Sequence, residues 1–397
     1  MELKEATQSG FVKGILTGLF FACIACICIF FATSKKENTD DSLITKEIES
    51  KVSLIKSSID RYFLNEYDEK TMEEGIYKGI VQSLDDPYST YYSSEELKEL
   101  REKTEGIYYG IGAYVSIDKE TEGGMITKVM PGSPAEEAGV KDNDIIVKVD
   151  DESVLGLSIT DIVTKIKGPN NTQVTLTLFR EGVPEYVEIP VTRKKIETPT
   201  VISEMMEDDI AYIQITEFDS VTTQQFAEAL TNAKEAGMKG LILDLRDNPG
   251  GNLTDVINIS RMLLPRGLIV YTEDKNGSRQ EYRCDGANEI QQPMVVLVNG
   301  NSASASEILS GAIKDYKKGT ILGTTTYGKG IVQKIFGVTD GSALKLTVSH
   351  YYTPNGNDIH GVGIEPNETL EFDVDAYLED GTDNQLERAL EILKGKQ

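Results

Sequence analysis

The stretch MVVLVNGNSASASEILSGAI, residues 294–313, decides how the second half of the chain is interpreted. It opens on an apolar run at 294–298 and returns to apolar and small residues at 308–313, which predicts a buried strand followed by a helix. The small residues between them predict a tight strand-to-helix turn. Backbone N–H groups are free at a helix start, so a serine placed there meets hydrogen-bond donors. We therefore take Ser304 as the candidate nucleophile.

The same serines have a structural alternative. Ser302, Ser304 and Ser306 each stand where a helix N-cap is expected, and Ser304 with Glu307 matches a capping box. A lone serine–glutamate pair at this spacing favours capping. A lysine between two glycines, a glutamine after it and an upstream glycine turn together favour catalysis instead.

Hydrolysis of an amide requires a nucleophile, a base and donors for the developing oxyanion. A histidine base would have to be His350 or His360, the only two histidines in the chain. The alternative is Lys329, 25 residues after Ser304 and flanked by glycines. A lysine amine acts as a base only when neutral, so burial would have to lower its pKa from about 10.4. The side-chain oxygen of Gln333 is placed to hold that amine toward the serine.

Charge and cysteine spacing argue against nucleic acid as a partner, a metal site and a disulfide framework. The formal net charge of −25 argues against nucleic acid as a partner, because the phosphate backbone would be repelled. Cys23, Cys26 and Cys28 share one apolar run, and no second ligand cluster follows, so we predict no metal site. Cys284 stands alone, which predicts no disulfide framework.

The chain begins with a predicted membrane anchor. Residues 14–33 carry no charge and are long enough to span a bilayer. A removable signal peptide is the alternative, but the run is long for one and lacks a clear cleavage site. We expect a single-pass cell-membrane protein with residues 1–34 as the anchor and the catalytic domain extracytoplasmic.

Residues 35–104 show apolar positions at helical spacing, which predicts a helical segment that could dimerise. The pattern over residues 105–193 instead predicts short strands with two short helices. This second segment resembles a PDZ domain, through a glycine-containing loop and the turn Pro131-Gly132-Ser133-Pro134. The resemblance implies that backbone N–H groups of the loop bind a peptide carboxylate while the peptide adds as a strand. The loop residues are Tyr109, Gly110, Ile111 and Gly112.

Residues 194–370 alternate strands with helices, which predicts a layered α/β catalytic core. Apolar strands are expected at 210–215 and 240–246, and the second runs into a glycine turn that ends at Gly250-Gly251. Residues 371–397 are predicted to form a helical tail after an acidic linker.

Three motifs carry a closer resemblance. Ser304-Ala305-Ser306-Glu307, Gly328-Lys329-Gly330-Ile331-Val332-Gln333 and Asp244-Leu245-Arg246-Asp247-Asn248-Pro249-Gly250-Gly251 are similar to core motifs of the carboxyl-terminal processing proteases. These are tail-specific serine proteases with a Ser–Lys dyad and a PDZ domain. The resemblance covers nearly everything after residue 40 and implies a crotonase/Clp-protease-like core with the PDZ domain in series. Asp247 departs from the family, in which a second asparagine is commoner.

Carried over to this sequence, the resemblance implies a complete set of roles and no metal or organic cofactor. Ser304 would be the nucleophile, Lys329 the general base and Gln333 the residue that orients the lysine. The backbone N–H groups of Ala305 and of Gly250 or Gly251 would form the oxyanion hole, and the sequence does not choose between the two glycines.

The predicted function is a serine endopeptidase that cleaves the C-terminal tails of proteins, with the PDZ domain binding the substrate C-terminus and gating the site. Its partners would be proteins or peptides with free, apolar C-termini, and the membrane through the anchor. An inactive PDZ scaffold that binds tails at the membrane is the alternative from another class. An acyl-CoA enzyme on a related layered fold is a third, disfavoured by the PDZ domain and the external location.

Overall fold

The computed structural model describes residues 43–395. Residues 43–72 belong to one compact unit, and residues 73–395 belong to a second. The predicted anchor at 14–33 lies outside the described residues. Within 43–395, no helix combines the length and the apolar character needed to cross a bilayer.

The first unit is helical, as predicted. Helix α1 (Lys46–Tyr62) starts at Thr45, whose side chain accepts a hydrogen bond from the Ile48 N–H. None of the α1 residues is buried. Helix α2 (Glu69–Gln82) begins in this unit and continues into the second.

The second unit opens with a turn, a short strand and a capped helix. Strand β1 (Thr90–Tyr92) is followed by α3 (Ser94–Glu105), which begins with a capping box formed by Ser93 and Glu96. The Ser93 N–H donates to Glu96 Oε2 at 2.9 Å. Gly106, at φ +65°, ends α3 in the left-handed region.

The predicted PDZ segment has its own sheet and core. Its elements are β2 (Ile107–Gly110), β3 (Ala113–Ile117), β4 (Gly124–Val129), α4 (Pro134–Ala138), β5 (Ile145–Val149), β6 (Glu152–Ser153), α5 (Ile159–Ile166), β7 (Gln173–Phe179), β8 (Val187–Thr192) and β9 (Lys194–Glu197). The sheet order is β3-β4-β5-β7-β8, while β2 pairs separately with β9. Strands β2 and β3 are therefore separated by Ile111-Gly112. Gly112 lies at φ +75°, a conformation that strands do not adopt.

The catalytic segment contains two sheets. Its elements are β10 (Val201–Met205), β11 (Ile210–Ile215), α6 (Thr222–Glu235), β12 (Gly240–Asp244), α7 (Leu253–Arg261), β13 (Gly267–Asp274), β14 (Arg279–Cys284), β15 (Met294–Val298), α8 (Ala305–Asp315), β16 (Thr320–Gly323), β17 (Ile331–Gly337), β18 (Ala343–Tyr352), β19 (Glu368–Thr369), α9 (Val374–Asp380) and α10 (Asn384–Lys394). The first sheet has the order β10-β11-β12-β15-β16-β19. Within it, the neighbouring strands β11, β12, β15, β16 and β19 run parallel to one another. The second has the order β1-β18-β13-β14, with β17 also paired to β18.

The parallel sheet is covered on both faces. One face packs with α6, α7 and α8 into the larger core cluster, which includes Phe226 and Leu309. The other face packs against α10 through Ala389 and Leu393, both fully buried. A sheet covered on both faces explains why β12 and β15 consist almost entirely of apolar residues.

Candidate active site

Three loops meet at one edge of the parallel sheet. The glycine turn (residues 245–251), the nucleophile loop (residues 299–304) and the lysine loop (residues 324–330) follow β12, β15 and β16, which are adjacent and parallel. Because the carboxyl ends of parallel strands lie at the same edge, residues far apart in sequence converge there.

The structure distinguishes the three serines of the nucleophile loop. Ser302 and Ser306 are fully buried, whereas Ser304 is partly exposed. The Ser302 hydroxyl donates to the Leu245 carbonyl oxygen at 2.8 Å, and the Ser306 hydroxyl donates to the Asn248 carbonyl oxygen at 3.0 Å. These two serines therefore fasten the nucleophile loop to the glycine turn, and Ser304 is the one that solvent and substrate can reach.

The backbone of Ser304 is strained. Its φ of 53° and ψ of −109° lie outside the extended region that helix N-caps usually adopt. The buried Tyr351 hydroxyl donates to the Ser304 carbonyl oxygen at 2.9 Å, and Glu307 receives the Ser304 N–H at 2.7 Å. The surrounding contacts thus hold a conformation that an isolated serine would leave.

The glycine turn lies directly against the nucleophile loop. A Cβ atom at Gly250 would stand 2.8 Å from the Ser304 Cβ and 2.9 Å from the Ala305 backbone nitrogen. Gly250 is at φ +102° and Gly251 at φ +141°, so both positions favour glycine over any other residue. The turn can approach the serine this closely only because side chains are absent.

The two glycines differ in their free hydrogen-bond donors. The Gly250 N–H donates to Asn248 Oδ1 at 2.8 Å. Among residues 43–395, the N–H groups of Gly251 and Ala305 have no acceptor. Ala305 is the first residue of α8, where the N–H has no partner within the helix. Two unpaired N–H groups, from Ala305 and Gly251, therefore flank Ser304.

Glu307 connects the nucleophile loop to the lysine loop. Its fully buried carboxylate accepts the Ser304 N–H and the Lys329 N–H on Oε2, at 2.7 and 2.9 Å. The two backbone nitrogens are consequently at most 5.6 Å apart, the sum of those distances. The Gly328 N–H and the Thr326 hydroxyl donate to Oε1, at 2.7 and 2.6 Å. One side chain thus fixes Lys329 beside Ser304.

The environment of Lys329 favours the neutral amine. Burial lowers the pKa of Lys329, and the positive charge of Lys345 acts in the same direction. The carboxylates of Glu307 and Asp86 oppose this lowering. The shift has the direction that a lysine base requires.

The side chains of the predicted dyad are not joined in this structure. The Lys329 Nζ lies 4.8 Å from the ring centroid of Tyr88, and no hydrogen bond links it to Ser304 within the described part of the chain. Gln333 does not bond to Lys329 either; its amide donates to Thr347 Oγ1 at 3.5 Å. The structure brings the two backbones together but leaves the lysine amine on an aromatic ring.

The histidine alternative gains no support from the geometry. His350 and His360 are exposed and form an edge-to-face pair, with ring centroids 5.6 Å apart. His350 lies 4.0 Å from an Asp358 carboxylate oxygen. No hydrogen bond connects either ring to Ser304 in residues 43–395.

The predicted carboxylate-binding loop leads from β2 into the edge strand β3 of the PDZ segment. Tyr109 and Gly110 belong to β2, whereas Ile111 and Gly112 lie between β2 and β3. Strand β3 is an edge strand of its sheet, and α5 packs beside it. Ile111 is buried in the PDZ core together with Ile162 and Ile166 of α5.

Sequence reasoning missed two residues of this site. Glu307 was interpreted as a capping residue, and its contacts with the lysine loop require knowledge of the fold. Nothing in the local sequence around Tyr88 points to Lys329. No cluster of metal-ligating side chains occurs within residues 43–395.

Comparison with known proteins gives three family matches. A family model described as peptidase family S41 matches residues 209–370, and one described as a PDZ domain matches residues 125–180. A third, described as the N-terminal domain of the activating protease CtpB, matches residues 30–96.

Individual relatives extend over most of the chain. The carboxy-terminal processing protease CtpA of Bacillus subtilis is 39% identical over 335 residues, which cover 84% of this chain and 70% of that protein. The carboxyl-terminal-processing protease of Synechocystis is 35% identical over 322 residues, covering 80% of this chain and 75% of that protein. Among solved structures, the photosystem II D1 C-terminal processing protease is similar with a TM-score of 0.47 and 32% identity, over 80% of this chain and 86% of that one.

Proposed function

The chain belongs to peptidase family S41 and is a carboxy-terminal processing serine protease, and we propose that Ser304 and Lys329 are its catalytic dyad. The observation that carries the proposal is the Glu307 carboxylate, which accepts both backbone N–H groups on one oxygen. Two residues 25 positions apart are thereby fixed within reach of one substrate bond.

The proposed reaction uses neutral Lys329 as the base. The Ser304 Oγ attacks the carbonyl carbon of the scissile bond, and its proton passes to the lysine amine. The C–N bond then breaks, and the leaving amine takes the proton from Lys329. Water, deprotonated by Lys329, hydrolyses the acyl-enzyme and regenerates Ser304. For this the amine must leave the Tyr88 ring and turn toward Ser304, a movement that Gln333 would guide.

We assign the oxyanion hole to the N–H groups of Ala305 and Gly251. The support is their lack of an acceptor, whereas the Gly250 N–H is already bonded to Asn248. A developing oxyanion would supply the missing acceptor for both donors. Gly250 then acts through its small size, because it allows the turn to approach Ser304.

The test is cleavage of a tagged protein tail, followed by mass spectrometry of the products. Ser304→Ala and Lys329→Ala should abolish cleavage, whereas Lys334→Ala, which removes an exposed lysine in β17, should retain it. Unchanged cleavage by Lys329→Ala would reject the dyad. If the wild-type protein cleaves no tail at all, the inactive-scaffold alternative gains.

We also propose that the PDZ segment binds the substrate C-terminus and gates the site. The edge position of β3 and the adjacent helix α5 support strand addition by a peptide. A tail with a free, apolar C-terminus should be cleaved with a KM about tenfold lower than its amidated form, since amidation removes the charge that the loop would bind. Equal KM values would argue against carboxylate recognition.

Membrane anchoring and dimerisation remain proposals as well. The anchor rests on the uncharged run at 14–33, and it predicts that the full chain sediments with membranes and is digested by protease added outside the cell. The dimer is supported by the apolar residues that α1 exposes, including Ile48, Val52 and Ile55. Sedimentation of residues 43–397 as a monomer would reject it.

A further inference from the structure

An aromatic ring from the N-terminal segment faces the proposed base. The Lys329 Nζ lies 4.8 Å from the ring centroid of Tyr88. Tyr88 belongs to a turn (residues 85–89) between α2 and β1, well before the segment matched by the peptidase family model. A residue outside the catalytic segment therefore faces the lysine amine.

The turn that carries Tyr88 is firmly held. Asp86 Oδ1 accepts the Tyr88 N–H at 3.0 Å, and Asp86 Oδ2 accepts the Ser89 hydroxyl at 2.5 Å. The Ser89 Oγ in turn accepts the Thr347 N–H of β18 at 3.0 Å. Strand β1 then pairs with β18 directly after the turn. This anchoring gives the Tyr88 ring a defined position.

Tyr88 is also tied to the lysine loop. Interaction with the side chain of Tyr327 raises the pKa of Tyr88, so the two side chains are close neighbours. The Tyr327 N–H donates to the Ser302 carbonyl oxygen at 3.0 Å, so this contact continues into the nucleophile loop. Gln333, on the adjacent strand, bonds to the same Thr347 that anchors the turn.

Charged groups face Lys329 from every neighbouring element. Glu307 of α8 and Asp86 of the turn favour the ammonium form, while Lys345 of β18 disfavours it. Lys345 itself lies over the ring of Tyr92. His360 packs its backbone against Gly330 and interacts with Asp86. Tyr88 contributes to this setting a neutral aromatic face and the exclusion of water.

We propose that Tyr88 is a positioning residue for Lys329, and that the N-terminal segment thereby completes the base side of the active site. The ring attracts the ammonium through its π face and shields the amine from solvent. When the lysine loses its proton the attraction weakens, so the neutral amine is released toward Ser304. The inference rests on the proposed dyad.

Three substitutions of Tyr88 separate the two effects of the ring. The acid limb is the pH range over which kcat/KM rises as Lys329 loses its proton. In Tyr88→Ala water reaches the amine, so this limb should move to higher pH by about one unit. In Tyr88→Leu water remains excluded but the π face is lost, so the limb should move down by about half a unit. Tyr88→Phe keeps the ring and should leave the limb in place. KM should change little in all three, while kcat near pH 7 should fall about tenfold in Tyr88→Ala.

The matched control is Tyr92→Ala, which removes the ring beside Lys345 rather than the ring beside Lys329. All variants should be prepared in the full chain, and their folding checked by circular dichroism. Labelling of Lys329 with an amine-reactive acetylating reagent across pH, mapped by mass spectrometry, reports the same titration without turnover. Retention of the wild-type limb and labelling profile by both Tyr88→Ala and Tyr88→Leu would overturn the inference. Activity in Lys329→Ala would instead reject the dyad itself, so the two failures are distinguishable.

Discussion

The glycine turn and the lysine loop flank Ser304 from two sides, and they are fixed by different means. The glycine turn is held by backbone and side-chain hydrogen bonds within the two loops, with Gly250 packed against Ser304 and Gly251 presenting a free N–H. The lysine loop has an equally fixed backbone, bonded to Glu307, but its functional group lies at the end of a flexible side chain that rests on Tyr88.

This difference indicates which side of the site is already formed. Backbone donors need no rearrangement to receive an oxyanion, so the glycine side is preorganised. Lys329, as the proposed base, would have to move its amine from the Tyr88 ring before it could accept a proton from Ser304. We therefore expect any regulation of activity to act on Lys329. Rotation of its side chain from the Tyr88 ring toward Ser304 would convert the observed arrangement into the reactive one.

The largest expected effect comes from breaking the glycine side. Gly250→Ala places a Cβ within 3 Å of the Ser304 Cβ and the Ala303 carbonyl oxygen, in a backbone conformation that alanine rarely adopts. We expect kcat to fall by about 10³-fold, because the serine and the oxyanion donors are displaced together. The measurement is steady-state kinetics on a tail peptide.

Gly300→Ala is the control for that prediction. Gly300 lies in the nucleophile loop, has no positive φ, and has only the Thr325 carbonyl oxygen, 4.0 Å away, near its Cβ position. It should retain near-normal kcat. Similar losses in the two variants would mean that the loop tolerates no added methyl group, and the special role of Gly250 would be rejected.

Glu307→Gln tests the link between the two sides. The amide keeps one acceptor oxygen but replaces the other with an N–H₂ group that faces donors, so the bonds from Gly328 and Lys329 cannot all persist. We expect kcat to fall about 10²-fold from misplacement of the base. The free energy of unfolding should also decrease by about 2 kcal/mol, measurable by urea denaturation.

The same variant makes a directional prediction about pH. The Glu307 charge raises the pKa of Lys329, so its removal should move the acid limb of the residual activity to lower pH. An acid limb that stays in place would indicate that Lys329 is not the titrating base.

The pH profile of the wild-type enzyme tests whether neutral Lys329 acts as the base. Because neutral Lys329 is the proposed base and burial lowers its pKa, kcat/KM should rise with pH through a pKa below the ordinary lysine value of 10.5. The profile is obtained from initial rates across pH with a substrate that lacks titrating groups. A limb near pH 4 would identify a carboxylate as the base and reject lysine.

The smallest expected effect is on the pH dependence of stability, and it comes from Asp219, a residue next to the glycine turn. Burial and the nearby Glu217 raise the pKa of Asp219 to about 7. The folded state then holds a proton that the unfolded state has released, so stability should fall as pH rises from about 4 to about 7. Asp219→Asn should remove this dependence and gain on the order of 2 kcal/mol at pH 8, with little change at pH 4. A gain of equal size at both pH values would contradict the titration.

The sequence predicted the layers of the catalytic segment well, for physical reasons. Strands such as β12 and β15 are apolar throughout because both faces of the sheet are covered, and that pattern is visible in the residues themselves. The choice of Ser304 over Ser302 and Ser306 followed the family resemblance and stays a prediction, which the partial exposure of Ser304 favours. The neighbours are buried and use their hydroxyls to bond the glycine turn.

The sequence could not predict contacts that depend on tertiary placement. Tyr88 and Lys329 are more than 200 residues apart, and no periodicity relates them. The choice between Gly250 and Gly251 depends on the Asn248 side chain, whose oxygen occupies the Gly250 N–H. The position of Gln333 likewise depends on its pairing with Thr347 across β17 and β18. The domain boundaries at 34, 104, 193 and 370 stay predictions.

The packing of α10 has a consequence for a protease that acts on tails. Ala389 and Leu393 are inserted into the core beside β12 and β15, and Arg246 pairs with Asp383 at the start of that helix. Threading this segment into a second molecule's active site would require extraction of both apolar side chains and unwinding of the helix. While α10 stays packed, this segment of the folded enzyme is therefore closed to cleavage by another copy.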